Sequence, residues 1–222
     1  MESIVHSTIA AIPPLPSPSL EDKRIILASN SPRRRELLHT ILPTFDIAEP
    51  RDIEETYPEN IAAKDVAPYL STIKAKAYHD ILAPDNLLIT ADTVVICNDE
   101  ILGKPGGAEE AEEMLNSLSG HLHTVVTGVT LSSLAGRMSD TFAEYTTVEF
   151  AKLSTNEIHQ YVSRFKPFDK AGAYGIQEWI GAIGIRRIDG CFYNVMGLPL
   201  HTLYRHLSDF FTKNHTPASI SF

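Results

Sequence analysis

An aspartate at the end of a predicted buried strand is the first group in this 222-residue chain whose type and position suit catalysis. The strand is LLITAD, residues 87–92, and carboxylates that end buried strands often line ligand crevices in α/β proteins. Asp92 could therefore bind a metal ion or accept a proton from water, although an aspartate there is as often a turn-former or a helix cap. Glu54 and Glu55 could supplement it, because hard oxygen ligands suit Mg²⁺ or Mn²⁺. Adjacent acidic residues in a polar stretch usually face solvent, so we expect one of these two glutamates to do so.

Three consecutive arginines are predicted to stand at the start of a helix. In ASNSPRRRELL, Ser31 is a candidate N-cap and Pro32 a candidate first helical residue. The first turn then contains Arg33, Arg34 and Arg35. A helix N-terminus already carries partial positive charge, so this cluster costs stability unless an anion such as a phosphate binds there. The alternative is a solvated basic turn that pairs with surface acids.

Two lysines and the histidines are weaker candidates. Lys74 lies in a predicted helix and Lys104 lies in GKP directly after a predicted strand, so either could hold a phosphate. Without other support each is more simply a surface lysine. The nine histidines show no HExxH or other metal-ligand spacing. His123 is expected to be structural.

A glycine-bearing loop, DKAGAYGIQ at residues 169–177, has the composition of a site for a planar base. Gly172 and Gly175 permit close backbone approach. Tyr174 is available for stacking, and Gln177 offers both a hydrogen-bond donor and an acceptor. The alternative is an ordinary turn.

The elements that must position these groups alternate between strands and helices, with short hairpins between them. This order predicts an α/β fold with a mixed, partly antiparallel sheet flanked by helices. The predicted strands are residues 24–29, 87–92, 123–133 and 141–153, with hairpins around Asn98-Asp99 and Asp189-Gly190. The predicted helices begin near Ser31, Asp65, Ala108, Ser154 and Pro199, and Ser154 with Glu157 forms a candidate capping box.

Composition excludes several classes of function. A net charge of −9 disfavours a binder of nucleic-acid polymers, because phosphate-backbone affinity comes mainly from clustered Lys and Arg. No run approaches the ~18 apolar residues of a membrane span. The first residues lack the basic region of a secretory signal, which predicts a cytoplasmic protein. Cys97 and Cys191 are isolated, and we expect buried structural thiols.

The chain is predicted to consist of three regions. Residues 1–22 are rich in Pro and Ser and are predicted to form a flexible N-terminal extension. Residues 23–212 form the predicted folded domain, and residues 213–222 form a C-terminal tail.

Seven segments, in order between Ile25 and Phe210, resemble the Maf family of nucleoside triphosphate pyrophosphatases. They are LASNSPRRRELL, ADTVV, LGKP, LSGHLHTVVTGV, TTVEF, DKAGAYGIQ and NVMGLPL. The resemblance implies an α/β fold with two lobes around a central cleft, similar to that of inosine triphosphate pyrophosphatases, and frequently a homodimer. It also implies cleavage between the α- and β-phosphates of a small-molecule nucleoside triphosphate, with a divalent metal ion.

The resemblance also implies roles for individual residues. Arg33 in SPRR, Thr93 in ADT and Gln177 in AYGIQ look like the branch that acts on dTTP and UTP. The remaining candidate substrate-binding residues are Ser29, Lys74 and Lys104. Asp92 is the candidate catalytic group and, with Glu54 and Glu55, a candidate ligand of Mg²⁺ or Mn²⁺.

Several alternatives stay open at this point. Asp92 could be the base, a metal ligand or both. The chain could be a nucleotide-binding regulator of cell division or septum formation, or a 7-methylguanosine-triphosphate pyrophosphatase. A pyrophosphatase could also act on modified pyrimidine nucleotides rather than on dTTP and UTP themselves.

Overall fold

A mixed sheet of seven strands forms the centre of residues 14–212, the part of the chain that the computed structural model describes. The strands are β1 (Arg24–Ala28), β2 (Asp46–Ile47), β3 (Asn86–Cys97), β4 (Glu100–Leu102), β5 (Leu122–Ser133), β6 (Met138–Phe150) and β7 (Ile185–Asp189). The helices are α1 (Pro32–His39), α2 (Ala63–Lys76), α3 (Ala108–Leu118), α4 (Thr155–Phe165), α5 (Trp179–Gly184), α6 (Phe192–Val195) and α7 (Leu200–Asp209). The predicted α/β class and mixed sheet are confirmed.

An opening along β3 is the feature of the sheet that creates the site. The strand order is β2-β1-β3-β5-β6-β7, with β1 parallel to β2 and β3 and the other neighbours antiparallel. On one side, β1 pairs with residues 86–90 of β3, and β4 pairs with residues 95–97. The stretch between these two pairings, residues 91–94, is bordered by β5 alone. This stretch contains Asp92, directly beyond the carboxyl end of β1, where α/β folds commonly bind ligands.

Two hydrophobic clusters lie on the same face of the sheet and form the two lobes. Alternate residues of one strand share a face. Leu87 and Ile89 of β3 pack in a cluster with α1 and α7, whereas Val95 and Cys97 pack in a cluster with α3 and α4. The opposite face is covered by α2, which packs near Val94. The cleft therefore opens between two separate cores.

A glycine in β5 lets α2 approach the sheet closely. A Cβ built on Gly128 would lie 2.2 Å from the backbone nitrogen of Pro68 in α2, so a larger residue there must displace the helix. Gly128 is also the cross-strand partner of Asp92. The close approach brings the last turn of α2, with Lys74, to the level of Asp92.

Local patterns predicted one turn and one helix cap correctly. Asn98 and Asp99, with φ of 51° and 65°, connect β3 to β4 as the predicted hairpin. The predicted capping box of Ser154 and Glu157 is confirmed at the start of α4.

The hairpin predicted around Asp189-Gly190 is wrong. Strand β7 pairs with β6, and residues 192–195 after it form α6 instead of a second strand. The physical reason is the buried side chain of Asn194, whose amide nitrogen donates to Val125 O at 3.1 Å and to Thr146 Oγ1 at 2.9 Å. These tertiary bonds outweigh the strand preference of the aromatic and β-branched residues around it.

The flexible extension predicted for residues 1–22 is wrong for residues 14–22, which pack on the domain. Leu20 is 1% exposed and belongs to the cluster that contains α7. Ser208 of α7 donates its hydroxyl to Pro16 O at 3.0 Å. Residues 1–13 and the predicted tail, residues 213–222, lie outside the described part of the chain. Within that part, no helix is long and apolar enough to cross a membrane.

Candidate active site

A cavity of about 460 Å³ occupies the opening beside β3. Its volume lies in the range of small-molecule sites, ~300–1,000 Å³. The end of β1, the start of α1, the middle of β3, the loop before α5 and the end of α6 all contribute to its wall. Every predicted site residue except Glu54 lines it: Ser29, Arg33, Glu55, Lys74, Asp92, Thr93, Lys104 and Gln177.

Asp92 and Lys74 form a mostly buried ion pair on one wall of the cavity. Lys74 Nζ donates to Asp92 Oδ1 and lies 3.0 Å from Glu55 Oε1. The side chains of Lys74 and Asp92 are 14% and 11% exposed. One ammonium thus serves two carboxylates, and Lys104 and Arg34 add further positive charge near Glu55.

The pKa of Glu55 records the balance of charges in this corner. Burial by itself would raise the pKa of this carboxyl. The charge and hydrogen bond of Lys74, followed by the charges of Lys104 and Arg34, outweigh burial and hold the pKa below its ordinary value. Glu55 is therefore ionised at neutral pH.

The three predicted metal-ligand carboxylates do not come together. Glu54 is exposed and does not line the cavity, whereas Glu55 does. Among residues 14–212, no three His, Cys, Asp or Glu side chains form a group that could hold a metal ion. The structure brings together two carboxylates, Asp92 and Glu55, with a cationic nitrogen between them.

The three arginines at the start of α1 diverge to different partners. Arg33 faces the cavity, is 23% exposed and donates to Asp169 Oδ2 at 2.7 Å. Arg35 turns back to Ser29 O at 3.3 Å and does not line the cavity. The predicted N-cap is confirmed, since Ser31 Oγ accepts from Arg34 N. Of the three, Arg33 and Arg34 line the cavity.

Arg34 is used by the protein itself. Its guanidinium donates to Gly197 O, Ala91 O and Thr93 Oγ1 at 2.8, 2.8 and 2.9 Å. Burial lowers its pKa, against the opposing effect of Asp92. Arg34 thus fastens α1 to the stretch of β3 that is bordered by β5 alone and to the segment that follows α6.

Thr93 completes this fastening. Its hydroxyl accepts from Arg34 and bonds to Thr127 Oγ1 at 2.9 Å, while Thr127 donates to Asn194 O at 3.0 Å. Since the Thr127 proton is used on Asn194, Thr93 is the donor to Thr127. The proton and one lone pair of the Thr93 hydroxyl are then directed to protein groups, which favours a positioning role.

The loop at residues 169–177 presents its last residue to the cavity. Gln177 is exposed there. Tyr174 is buried rather than available for stacking. Its hydroxyl lies 2.8 Å from His123 Nε2, and its ring packs edge-on against Phe150 at 5.1 Å between centroids.

His123 has the structural role that was predicted. Its side chain is buried at the base of this loop, and burial lowers its pKa to about 4. It is therefore neutral at physiological pH and shares a hydrogen bond with Tyr174.

Two further predicted residues lie at the cavity edge. Lys104 is exposed after β4, and its charge contributes to the lowered pKa of Glu55. Ser29 accepts a hydrogen bond from the Ser31 backbone nitrogen at 3.2 Å, so it shapes the turn that leads into α1.

Sequence reasoning missed Lys170 and Glu178. The Lys170 side chain is only 8% exposed, and its ammonium lies between Asp169 Oδ1 at 2.7 Å and Glu178 Oε1 at 3.1 Å. The available signal was a charged residue inside a stretch of small and apolar residues, where a lysine needs a partner.

The wall of this cavity defines a class of site: a nucleotide-sized cleft in an α/β protein, where cationic side chains surround a buried carboxylate and suit a small anionic ligand. The family model described as Maf-like protein matches residues 24–210. The chain belongs to the Maf family.

Bacterial relatives match most of the chain. A Parabacteroides distasonis protein named dTTP/UTP pyrophosphatase is 47% identical over 192 residues, which cover 86% of this chain and 98% of that protein. A Bacteroides thetaiotaomicron protein of the same name is 49% identical over 189 residues, covering 85% and 97%. A crystal structure of a nucleoside-triphosphatase, a dITP/XTP pyrophosphatase from Mycobacterium abscessus, aligns with 59% of this chain and 75% of its own. Its TM-score of 0.38 and identity of 15% are too low to support an argument.

Proposed function

We propose that this chain is a nucleoside triphosphate pyrophosphatase that hydrolyses dTTP and UTP to the monophosphate and pyrophosphate. The observation that carries the proposal is the buried Asp92 carboxylate on the wall of a cavity that also contains Arg33, Lys74 and Lys104. Cationic groups in a cleft attract a triphosphate even on a chain of net charge −9, because the local field decides. The shared name of the bacterial relatives supports the choice of substrate.

The triphosphate lies across the start of α1. Arg33 projects from the first turn of that helix into the cavity, and helix N-termini favour anions. Lys104 and Lys74 also line the cavity and contribute positive charge. The phosphates of the bound substrate then compete with Asp169 for the Arg33 guanidinium.

Asp92 accepts the proton of the water that attacks the α-phosphorus. The new bond joins the water oxygen to that phosphorus, the bond to the bridging oxygen breaks, and pyrophosphate leaves. Lys74 orients the carboxylate and adds positive charge where negative charge develops in the transition state. Catalysis of this kind depends mainly on positioning and charge stabilisation.

Mg²⁺ or Mn²⁺ belongs to the proposal, with Asp92 and Glu55 as the residues that would hold it. Mg²⁺ is commonly bound by one or two carboxylates together with substrate phosphates. The position of Lys74 Nζ between these carboxylates indicates that the corner accommodates a cation. When bound, such an ion lowers the pKa of a bound water and neutralises phosphate charge.

Gln177 reads the base. An amide donates to one edge atom of a pyrimidine and accepts from another, and Gln177 is exposed at the cavity edge where the loop ends. The cytoplasmic location and the homodimer remain predictions of this proposal.

A panel of triphosphates tests the proposal. The chain is incubated with Mg²⁺ or Mn²⁺ and with common, modified or 7-methylated triphosphates, and released pyrophosphate is measured. The highest kcat/KM for dTTP or UTP supports the proposal. Binding without pyrophosphate release supports the regulator instead, and preference for 7-methylguanosine triphosphate contradicts the assigned branch.

A further inference from the structure

A buried lysine holds together the two ends of the loop that carries Gln177. Lys170 borders the cavity, but its ammonium contacts two carboxylates, Asp169 before it and Glu178 at the far end of the loop. Burying an ammonium costs free energy unless it is well paired. The location of Lys170 therefore reflects a specific pairing.

A tyrosine in α4 fastens the same loop from the other side. The fully buried Tyr161 donates its hydroxyl to Glu178 Oε2 and accepts from Gly175 N at 3.1 Å. Burial, aided by Glu178, raises the pKa of Tyr161, so its hydroxyl stays protonated and can donate. The residues on both sides of Gln177 are thereby fixed to one helix.

The Glu178 carboxylate also lies near the amide of Gln177. A Cβ built on Gly175 would lie 3.1 Å from Gln177 Nε2 and 3.1 Å from Glu178 Oε1, so these two atoms are within about 6 Å of each other. A carboxylate attracts the NH₂ end of a nearby amide and repels its oxygen. The direction in which the amide points then depends on where Glu178 is held.

Arg33 joins this network at its other end. Asp169 accepts from Lys170 through Oδ1 and from Arg33 through Oδ2. Burial would raise the pKa of Asp169, but the hydrogen bonds of Lys170 and Arg33 keep it below its ordinary value. Four alternating charges thus connect the arginine at the phosphate end to the loop at the base end.

We propose that Lys170 is a positioning residue for base selection, which holds the Glu178 carboxylate where it orients the Gln177 amide. This inference rests on the proposed function. An amide that is free to turn presents either its donor or its acceptor, and so accepts uracil and cytosine alike. Discrimination against cytosine requires the orientation to be fixed.

The test compares UTP with CTP in three variants. Lys170→Met removes the ammonium and Glu178→Gln removes the carboxylate charge with little change of shape. Each is expected to lower the ratio of kcat/KM for UTP over CTP by about fivefold or more, mainly through KM for UTP. Lys170→Arg restores the charge and should keep the ratio within about twofold of the parent. The exposed Lys152→Met is the matched control and should leave the ratio unchanged.

A double variant distinguishes positioning through Gln177 from a purely structural role of Lys170. If Lys170 acts through Gln177, adding Lys170→Met to Gln177→Ala should change the ratio less than about twofold. Equal losses for UTP and CTP in the single variants, or an undiminished change in the Gln177→Ala background, would overturn the proposal. Melting temperatures of all variants identify any that fail to fold. If Lys170→Met does not fold, the UTP to CTP ratio of Glu178→Gln tests the proposal instead.

Binding of non-hydrolysable UTP and CTP analogues separates this inference from the proposed function. If the parent releases no pyrophosphate, the proposed function fails. The dissociation constant of the CTP analogue divided by that of the UTP analogue still reports base selection. A lower ratio in Lys170→Met supports positioning by Lys170. Equal binding of the two analogues by the parent refutes it, because there is then no selection to position.

Discussion

The two sides of the cleft are built in different ways. The Asp92 side consists of a strand and a helix, with Lys74 of α2 brought to β3 by the close contact at Gly128. The Gln177 side is a loop with little regular structure, held by side-chain contacts of Lys170 and Tyr161. Residues on regular elements are positioned more rigidly than residues on loops. We therefore expect the reaction and the choice of base to respond separately to mutation.

Asp92→Asn should have the largest effect. The variant keeps the size of the side chain but removes its charge, so turnover of every triphosphate should fall about 10²–10⁴-fold, the range of general-base catalysis. The UTP to CTP ratio should stay the same, because Gln177 is untouched. Steady-state kinetics at saturating metal measure both, with the exposed Asp22→Asn as control. Turnover within about threefold of the parent would remove Asp92 from the mechanism.

Gln177→Ala should show the opposite pattern. Loss of the amide leaves polar edge atoms of the base unpaired at ~1–3 kcal/mol each, so the UTP to CTP ratio of kcat/KM should fall about 5–50-fold. The effect on turnover of bound substrate should be smaller. Gln160→Ala, in α4 and away from the cavity, is the matched control. An unchanged ratio would place base reading elsewhere in the cleft.

The smallest expected effect is on the pH dependence of stability, and it comes from His123 on the loop side of the cleft. Burial lowers the pKa of His123 from 6.5 to about 4. As pH falls below 6.5, the unfolded chain gains a proton that the folded chain does not, so stability is lost between pH 6.5 and about 4. Between about pH 7 and about pH 5 this amounts to about 2 kcal/mol.

Replacing His123 removes this dependence. The free energy of unfolding of His123→Asn should fall by about 2 kcal/mol less than that of the parent over the same pH interval. Denaturant unfolding at both pH values measures it, and the exposed His121→Asn serves as control. Equal pH dependence in parent and His123→Asn would show that this group does not titrate as described.

Local sequence patterns predicted elements on both sides of the cleft because their signals are short-range. The N-cap Ser31, the buried strand before Asp92 and the capping box at Ser154 depend on residues a few positions apart. The helix α6 was missed because the bonds of Asn194 reach residues about 50 to 70 positions away.

The candidate site divides in the same way. Asp92, Lys74 and Gln177 could be chosen as candidates from residue type and family motifs, and all three line one cavity. The separate partners of Arg33 and Arg34 could not be predicted, because two adjacent arginines have the same chemistry. Their partners, Asp169 and Gly197, are distant in sequence and are brought close only by the fold. The sequence likewise could not show which of the two adjacent glutamates lines the cavity, which is Glu55 and not Glu54.

Hydrolysis of UTP in water labelled with oxygen-18 tests the central claim most directly. If a water beside Asp92 attacks the α-phosphorus, mass spectrometry of the products will find the label in UMP and none in pyrophosphate. Label in pyrophosphate, or formation of UDP and orthophosphate, would contradict the proposed reaction.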